Sequence, residues 1–250
     1  MEKNNYDDYT EADYAIALEK VKKDYIGDIK PSEEPKLVFA SGQPASGKSA
    51  LPRKIIEDYK NIEFCIIDMD KFRKYHPNIK EIEISKDDFV QSTNAFSIRI
   101  EKDLLDYCLA NKMNFIHIST IRIYEYFKEH VIDMAKKQKY NIEVYALAVP
   151  NLESKKSAIL REEEQKQNGE NIRKTSESFI DEADKGFKRS IYIMSKDMDI
   201  SDIKILIRGK SVKESPIIVY SQKNNNGLKY KNAYDALIDI RNKQLKKSEN

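Results

Sequence analysis

A chain of 250 residues can form one large α/β domain or two small ones, and its 44 basic and 42 acidic side chains leave a formal net charge of only +2. With no field of one sign over the molecule, composition argues against a nucleic-acid or membrane-surface protein. The two cysteines lack metal-ligand spacing, the first residues have neither the basic nor the apolar region of a secretion signal, and no apolar run approaches membrane-spanning length, so a cytoplasmic protein without disulfides is expected.

Regular structure is first expected at residues 10–27, where Thr10 is a candidate N-cap, Tyr14, Leu18, Val21 and Tyr25 recur at helical spacing, and Gly27 is a stop signal. Segment 29–35 (IKPSEEP) reads as a polar linker, so residues 1–35 are expected to be a helix and linker packed on one domain that spans 36–250. Within residues 36–49 (KLVFASGQPASGKS) an apolar strand-like run stops abruptly. Gly42, Gln43, Pro44, Ala45, Ser46, Gly47, Lys48 and Ser49 then satisfy G-x-x-x-x-G-K-[ST], with a helical segment at 50–59 behind them. Pro52 falls slightly past the first turn of that segment and is expected to bend it.

Residues 62–68 (IEFCIID) predict a second strand, ending in the acidic pair Asp68 and Asp70. A short helix at 70–77, an irregular connection at 80–85 and one long helix at 87–111 follow, and 114–119 (NFIHIS) predicts a third strand with Thr120 and Arg122 just beyond its carboxyl end. A helix at 124–138 and a fourth strand at 142–149 lead to Pro150. Beyond it lie helices at 152–167 and 175–196, short strands at 203–207 and 216–220, a loop at 224–227 and a terminal helix at 230–243. Strands alternating with helices imply an α/β fold, an open, mainly parallel sheet with helices on both faces. Ligands in such sheets bind outside the carboxyl ends of the strands. The phosphate loop, Asp68 and Asp70, Thr120 and Arg122, and the segment after Pro150 are therefore expected to face one crevice.

These residue types suit phosphoryl transfer from ATP with Mg²⁺. Gly42 and Gly47 let backbone N–H groups turn inward around a triphosphate at a helix N-terminus, Lys48 adds a mobile charge, and Ser49 offers a hydroxyl to Mg²⁺. A kinase also needs a carboxylate to orient the acceptor hydroxyl and take its proton. Asp70 is the candidate base; Asp68 is the alternative, with Mg²⁺ and its water shell as the more natural task, and capping of the helix that begins at Lys71 is the competing structural role. Arg161 and Arg173 flank a charged segment that reads as a cationic lid, since guanidinium groups stay charged and offer forked donors to phosphoryl oxygens. His76, His117 and His130 form no metal-binding pair, and His117 is expected to be structural.

Taken together, GQPASGKS, IIDMDKFRKYHPNI, NFIHISTIR, LREEE and NIRKTSESFID resemble, in order, the motifs of the zeta toxin family, the toxin halves of bacterial toxin–antitoxin systems, also called UDP-N-acetylglucosamine kinases. The resemblance implies a P-loop kinase-like fold, Asp70 as base, Thr120 and Arg122 as substrate contacts, Arg161 and Arg173 as phosphate contacts, a nucleotide-sugar acceptor and a small antitoxin protein as partner. One position departs from the pattern. Ile118-Ser119 stands where the family has an acidic residue and glycine, a carboxylate associated with the sugar-nucleotide acceptor. Two further readings stay open: the same transfer to another acceptor, such as a nucleotide, an antibiotic or an RNA end, and a nucleotide-binding module without catalysis.

Overall fold

The computed structural model describes residues 9–85, 88–209, 211, 214–225 and 229–248. Residues 1–8 at the start, Asp87 of the expected long helix, and Asn226 and Gly227 of the expected loop lie outside them. Helix α1 (Glu11–Tyr25) begins where Thr10 and Asp13 close a capping box. The Asp13 amide donates to Thr10 Oγ1 at 3.1 Å, and the Thr10 amide donates to Asp13 Oδ2 at 3.0 Å. The helix buries Tyr14, Ala17 and Val21 against the main core.

Six strands form one sheet: β1 (Lys36–Ser41), β2 (Cys65–Ile67), β3 (Phe115–Ser119), β4 (Asn141–Leu147), β5 (Asp202–Ile207) and β6 (Ile217–Ser221), in the order β2-β3-β1-β4-β5-β6. All pairs are parallel except β5 with β6. β1 lies between β3 and β4, with Ala40 level with Ile118 on one side and Tyr145 on the other. Central parallel strands are covered on both faces, which is why β1 is an almost unbroken apolar run.

The helices are α2 (Leu51–Asp58), α3 (Met69–Phe72), α4 (Ile79–Ile84), α5 (Phe89–Ser92), α6 (Asn94–Ala110), α7 (Tyr124–Phe127), α8 (Asp133–Lys137), α9 (Asn151–Asn168), α10 (Glu177–Met194) and α11 (Ala233–Ser248). They cover the two faces unequally. Leu51 and Ile55 of α2 join Val38, Ala40, Ile116, Tyr145 and Leu147 in a small core on one face. On the other face Phe39, Phe115 and Val144 meet α1, α6, α10 and α11 through Val21, Ile100, Phe187 and Leu237. Each such fully buried aliphatic or phenyl side chain contributes roughly 1.5–3 kcal/mol of hydrophobic stabilisation.

Several elements differ from the expectation, each for a tertiary reason. Segment 80–85 is helical over α4, anchored by the buried Ile82. The long helix is two, because the buried Thr93 between α5 and α6 donates from Oγ1 to the Phe89 carbonyl at 2.7 Å and accepts from Arg73 Nη1 at 3.0 Å. β2 is shorter than residues 62–68 because, at the sheet edge, it pairs with β3 over three residues only. A π-helical turn at Lys128–Ile132 separates α7 from α8, and the extra residue in its turn lets Val131 and Ile132 both reach the core.

Candidate active site

The phosphate loop leaves β1 at Ser41 and closes tightly on itself. A Cβ on Gly42 would lie 2.6 Å from Ser46 Oγ, so the turn accepts only glycine there, and Gly47 has φ +89°, which glycine adopts without strain. Ala45 takes φ +57° without that freedom, a local cost of order 1–2 kcal/mol that the surrounding bonds must offset. Part of that hold is Arg208, just after β5, whose Nη2 donates to the Ala45 carbonyl at 2.8 Å and whose Nε donates to the Ser46 carbonyl at 2.9 Å. A 3₁₀ turn at Lys48–Ala50 leads into α2, so Pro52 falls within the first α-helical turn, where no backbone donor is required; it is compatible with the helix rather than bending it.

Beyond the carboxyl ends of β1, β2 and β3, a cleft of about 220 Å³ is lined by Lys48, Ser49, Asp68, Asp70, Ile118, Arg161 and Arg173, among others. The chain therefore brings together the loop lysine and serine, both acids, Arg161 and Arg173. Lys48 Nζ donates to the Gln43 carbonyl at 3.1 Å. Burial, reinforced by the nearby Arg173 and opposed by Asp70 and Asp68, pushes Lys48 down to about 8.

The two aspartates have separate tasks in the fold. Asp68 caps α3, accepting from the Asp70 amide at 3.1 Å, so the capping role considered for Asp70 belongs to Asp68 instead. Burial, followed by the charge of Asp70, raises the Asp68 carboxyl above its usual range. Asp70 is thereby free of the backbone and takes two guanidinium partners: Arg73 Nε at 3.3 Å through Oδ1, and Arg173 Nη1 through Oδ2. Arg73 is 4% exposed and is pinned by Val90, Thr93 and Asn94. It went unnoticed in the sequence, although its spacing three residues after Asp70 on a helical pattern was a usable signal.

Arg161 on α9 donates from Nη2 to Thr175 Oγ1 at 2.9 Å and to the Arg173 carbonyl at 3.4 Å. Gln165 Oε1 accepts from the Arg173 amide at 2.9 Å. The two arginines are thus tied to one another's segment, and burial, then Arg173, lowers the Arg161 pKa. Thr120 and Arg122 are not among the described residues lining this cleft. Arg122 Nη1 meets Glu182 Oε1 of α10 at 3.2 Å, and its guanidinium lies over the Phe179 ring. The Gln43 side chain, by contrast, points away from the cleft: it is fully buried and bonds to Val149, Ser154 and Arg241.

The Mg²⁺ expectation can be weighed from the donor set. Ser49 and Asp68 offer hard oxygen donors in the cleft, which suits an ion that keeps several waters and shares phosphate oxygens. Among the described residues no group of three or more His, Cys, Asp or Glu could hold a metal by protein ligands alone. A second hollow, about 330 Å³, opens between Gly47 and Ser49 on one side and Arg208 and Pro216 on the other. A third, about 530 Å³, is lined by Ile98, Leu105, Phe127 and Met134 with Glu101 and His117. His117 is buried and structural in the sense expected, meeting Glu101 Oε1 at 3.0 Å.

Comparison with known proteins adds the following. The Zeta toxin family model matches residues 22–225. Toxin zeta of Streptococcus agalactiae is 28% identical over 160 residues, covering 64% of this chain and 55% of that protein. Toxin PezT of Streptococcus pneumoniae serotype 4 is 26% identical over 159 residues, covering 63% of this chain and 62% of that protein. The matched part of the chain thus spans little more than half the length of these curated relatives. Among solved structures, one from the PezAT chromosomal toxin–antitoxin system of Streptococcus pneumoniae superposes with a TM-score of 0.76 at 21% identity, over 98% of this chain and 96% of that one. The AvrRxo1-ORF1:AvrRxo1-ORF2 complex superposes with a TM-score of 0.62 at 12% identity, over 94% and 74%. At these identities the structural likeness concerns the fold alone.

Proposed function

We propose that this chain, which belongs to the zeta toxin family, transfers the terminal phosphoryl group of ATP to a hydroxyl of UDP-N-acetylglucosamine or a related nucleotide sugar. The observation that carries this reading is the convergence of Lys48, Ser49, Asp70, Arg161 and Arg173 on one cleft at the mouth of the phosphate loop. In it, the loop amides and Lys48 hold the phosphates, Ser49 and Asp68 would hold Mg²⁺, and Asp70 orients the acceptor hydroxyl and takes its proton. Bound Mg²⁺ supplies charge neutralisation at the phosphate oxygens. Arg161 and Arg173 stabilise the charge that spreads over the moving phosphoryl group.

Asp70 is engaged by Arg173 in this arrangement, so the bond must exchange before Asp70 can act as a base. A triphosphate offers Arg173 more negative charge than one carboxylate does. Nucleotide binding is therefore the event that frees Asp70 for the acceptor. The hollow beside Arg208, which shares Gly47 and Ser49 with the cleft, suits the nucleobase. The relatives support a small antitoxin as partner, since one of the superposed structures comes from a toxin–antitoxin system. Both substrates belong to the cytoplasm, which is the proposed location; no helix among the described residues is long and apolar enough to cross a membrane.

The test is incubation of the purified protein with labelled ATP and a panel of nucleotide sugars, with products identified by mass spectrometry. Transfer to at least one of them is expected, and absence of transfer to all of them would sink the acceptor assignment. A second reading keeps the kinase and changes the acceptor. Ile118 favours it, an apolar side chain in the cleft wall where the resemblance calls for a carboxylate.

A further inference from the structure

The Gln43 side chain sits at the centre of a buried polar chain that phosphoryl transfer itself does not use. From Nε2 it donates to the Val149 carbonyl at 2.6 Å and to Ser154 Oγ at 2.9 Å, and its Oε1 accepts from Arg241 Nη2 at 2.5 Å. Arg241 comes from α11, far along the chain, and is 6% exposed. Its other arm, Nη1, meets Asp184 Oδ1 of α10 at 2.5 Å, and Asp184 also faces Lys188 at 2.9 Å. One residue triplet further along α11, Gln244 Nε2 donates to the Ala148 carbonyl at 2.5 Å. The phosphate loop, the exit of β4, α9, α10 and α11 therefore meet at one solvent-free node.

Stability alone is a poor account of this node. A buried ion pair loses much of its Coulomb gain to desolvation, and apolar side chains of the same volume hold helices together at least as well. What the fork of Arg241 provides is geometry, with one arm on an acid and the other on the side chain of a loop residue. The elements it joins are the ones that matter to the cleft. Ser154 lies two helical turns before Arg161 on α9, and α10 follows the segment that carries Arg173. Floor and both walls are registered to one another through a single guanidinium.

We propose that Arg241 is a positioning residue for nucleotide binding: through Gln43 it fixes the phosphate loop against α9 and α10, so that the C-terminal helix sets the affinity for ATP. The inference rests on the kinase reading only for the identity of the ligand.

Two variants and a control test it. Arg241→Ala removes both arms. Arg241→Lys keeps a charge opposite Asp184 but cannot also reach Gln43, and is the variant that preserves the fold should the alanine form unfold. Leu237→Ala, on the same helix and fully buried, weakens α11 without touching the node. Hydrogen exchange of peptides covering residues 41–50 in the ligand-free protein should quicken about tenfold or more in both Arg241 variants and stay within about twofold of wild type in Leu237→Ala, the scale expected for loss of a charge-assisted hydrogen bond. The ATP Kd should rise in the same order, with Leu237→Ala again near wild type although its melting temperature falls. Unchanged loop exchange in Arg241→Lys, or equal effects of Leu237→Ala and Arg241→Lys on the loop, would overturn the proposal. Because exchange is read without nucleotide, a wild-type protein that bound no ATP would defeat the kinase reading while the positioning role was still decided by the loop.

Discussion

Burial holds Lys48 near pKa 8, against an ordinary value of 10.5, and this gives the cleft a measurable proton signature. The folded pKa lies below the unfolded one, so charging Lys48 in the ligand-free fold carries a penalty at neutral pH that lifts as pH rises from about 8 toward 10.5. Bound phosphates favour the charged amine and pull its pKa back up. ATP binding at a pH of about 8.5 should then be accompanied by proton uptake, visible in calorimetry as a dependence of the heat on buffer ionisation, and at a pH of about 6.5, where the amine is already protonated, the uptake should vanish. Lys48→Arg, always charged, should show none at either pH; uptake that persists in it would assign the proton elsewhere. Asp70 is tested differently. Asp70→Asn keeps an oxygen for Arg73 but cannot accept a proton from the acceptor, so kcat should fall by about 10² to 10⁴, while ATP binds at least as tightly as in wild type because Arg173 is no longer held by a charged partner.

Elements, rather than single residues, decide where Asp70 stands. Arg73 is held by Thr93 in the break between α5 and α6, and the break is what aims the guanidinium at the acid. Thr93→Val is nearly isosteric, removes a fully buried hydroxyl and leaves Arg73 Nη1 one acceptor short. It should destabilise the fold by about 1–3 kcal/mol in urea unfolding and lower kcat more than it changes the ATP Kd. A variant with wild-type kcat would show that the break is structural only. The same break explains what could be read in advance and what could not. β1, its loop and α2 were legible because an apolar run, two glycines and a lysine satisfy a local rule. The α5–α6 interruption was not, since Thr93 is an ordinary helical residue until Arg73 arrives from twenty residues away. Likewise the π-helical turn serves the packing of Val131 and Ile132, and nothing local in the sequence announces it.

At the scale of the whole molecule, the sheet order gathers short segments from distant parts of the chain along one edge, and that gathering was foreseeable from the alternation of strands and helices. The direction of side chains was not: Arg122 turns to Glu182, and Gln43 turns into the core. On the proposed kinase reading, the cleft that results couples its two substrates. Arg173 comes from the segment between α9 and α10, Asp70 from the end of β2, and their ion pair spans the crevice between wall and floor. As long as Arg173 occupies Asp70, the acceptor lacks its anchoring carboxylate, and a ligand that draws Arg173 away raises acceptor affinity. By linkage the coupling is reciprocal, and couplings of this kind are typically about 5–150-fold. UDP-N-acetylglucosamine should therefore bind more tightly in the presence of a non-hydrolysable ATP analogue, and the analogue more tightly in its presence, by the same factor. Arg173→Ala should abolish most of that coupling by leaving Asp70 available from the start, while kcat falls about 10²–10³-fold for want of the charge on the phosphoryl group. Calorimetric titration of each ligand with and without the other measures both factors. Independent binding in the wild-type protein would mean that the Asp70–Arg173 pair does not gate the acceptor.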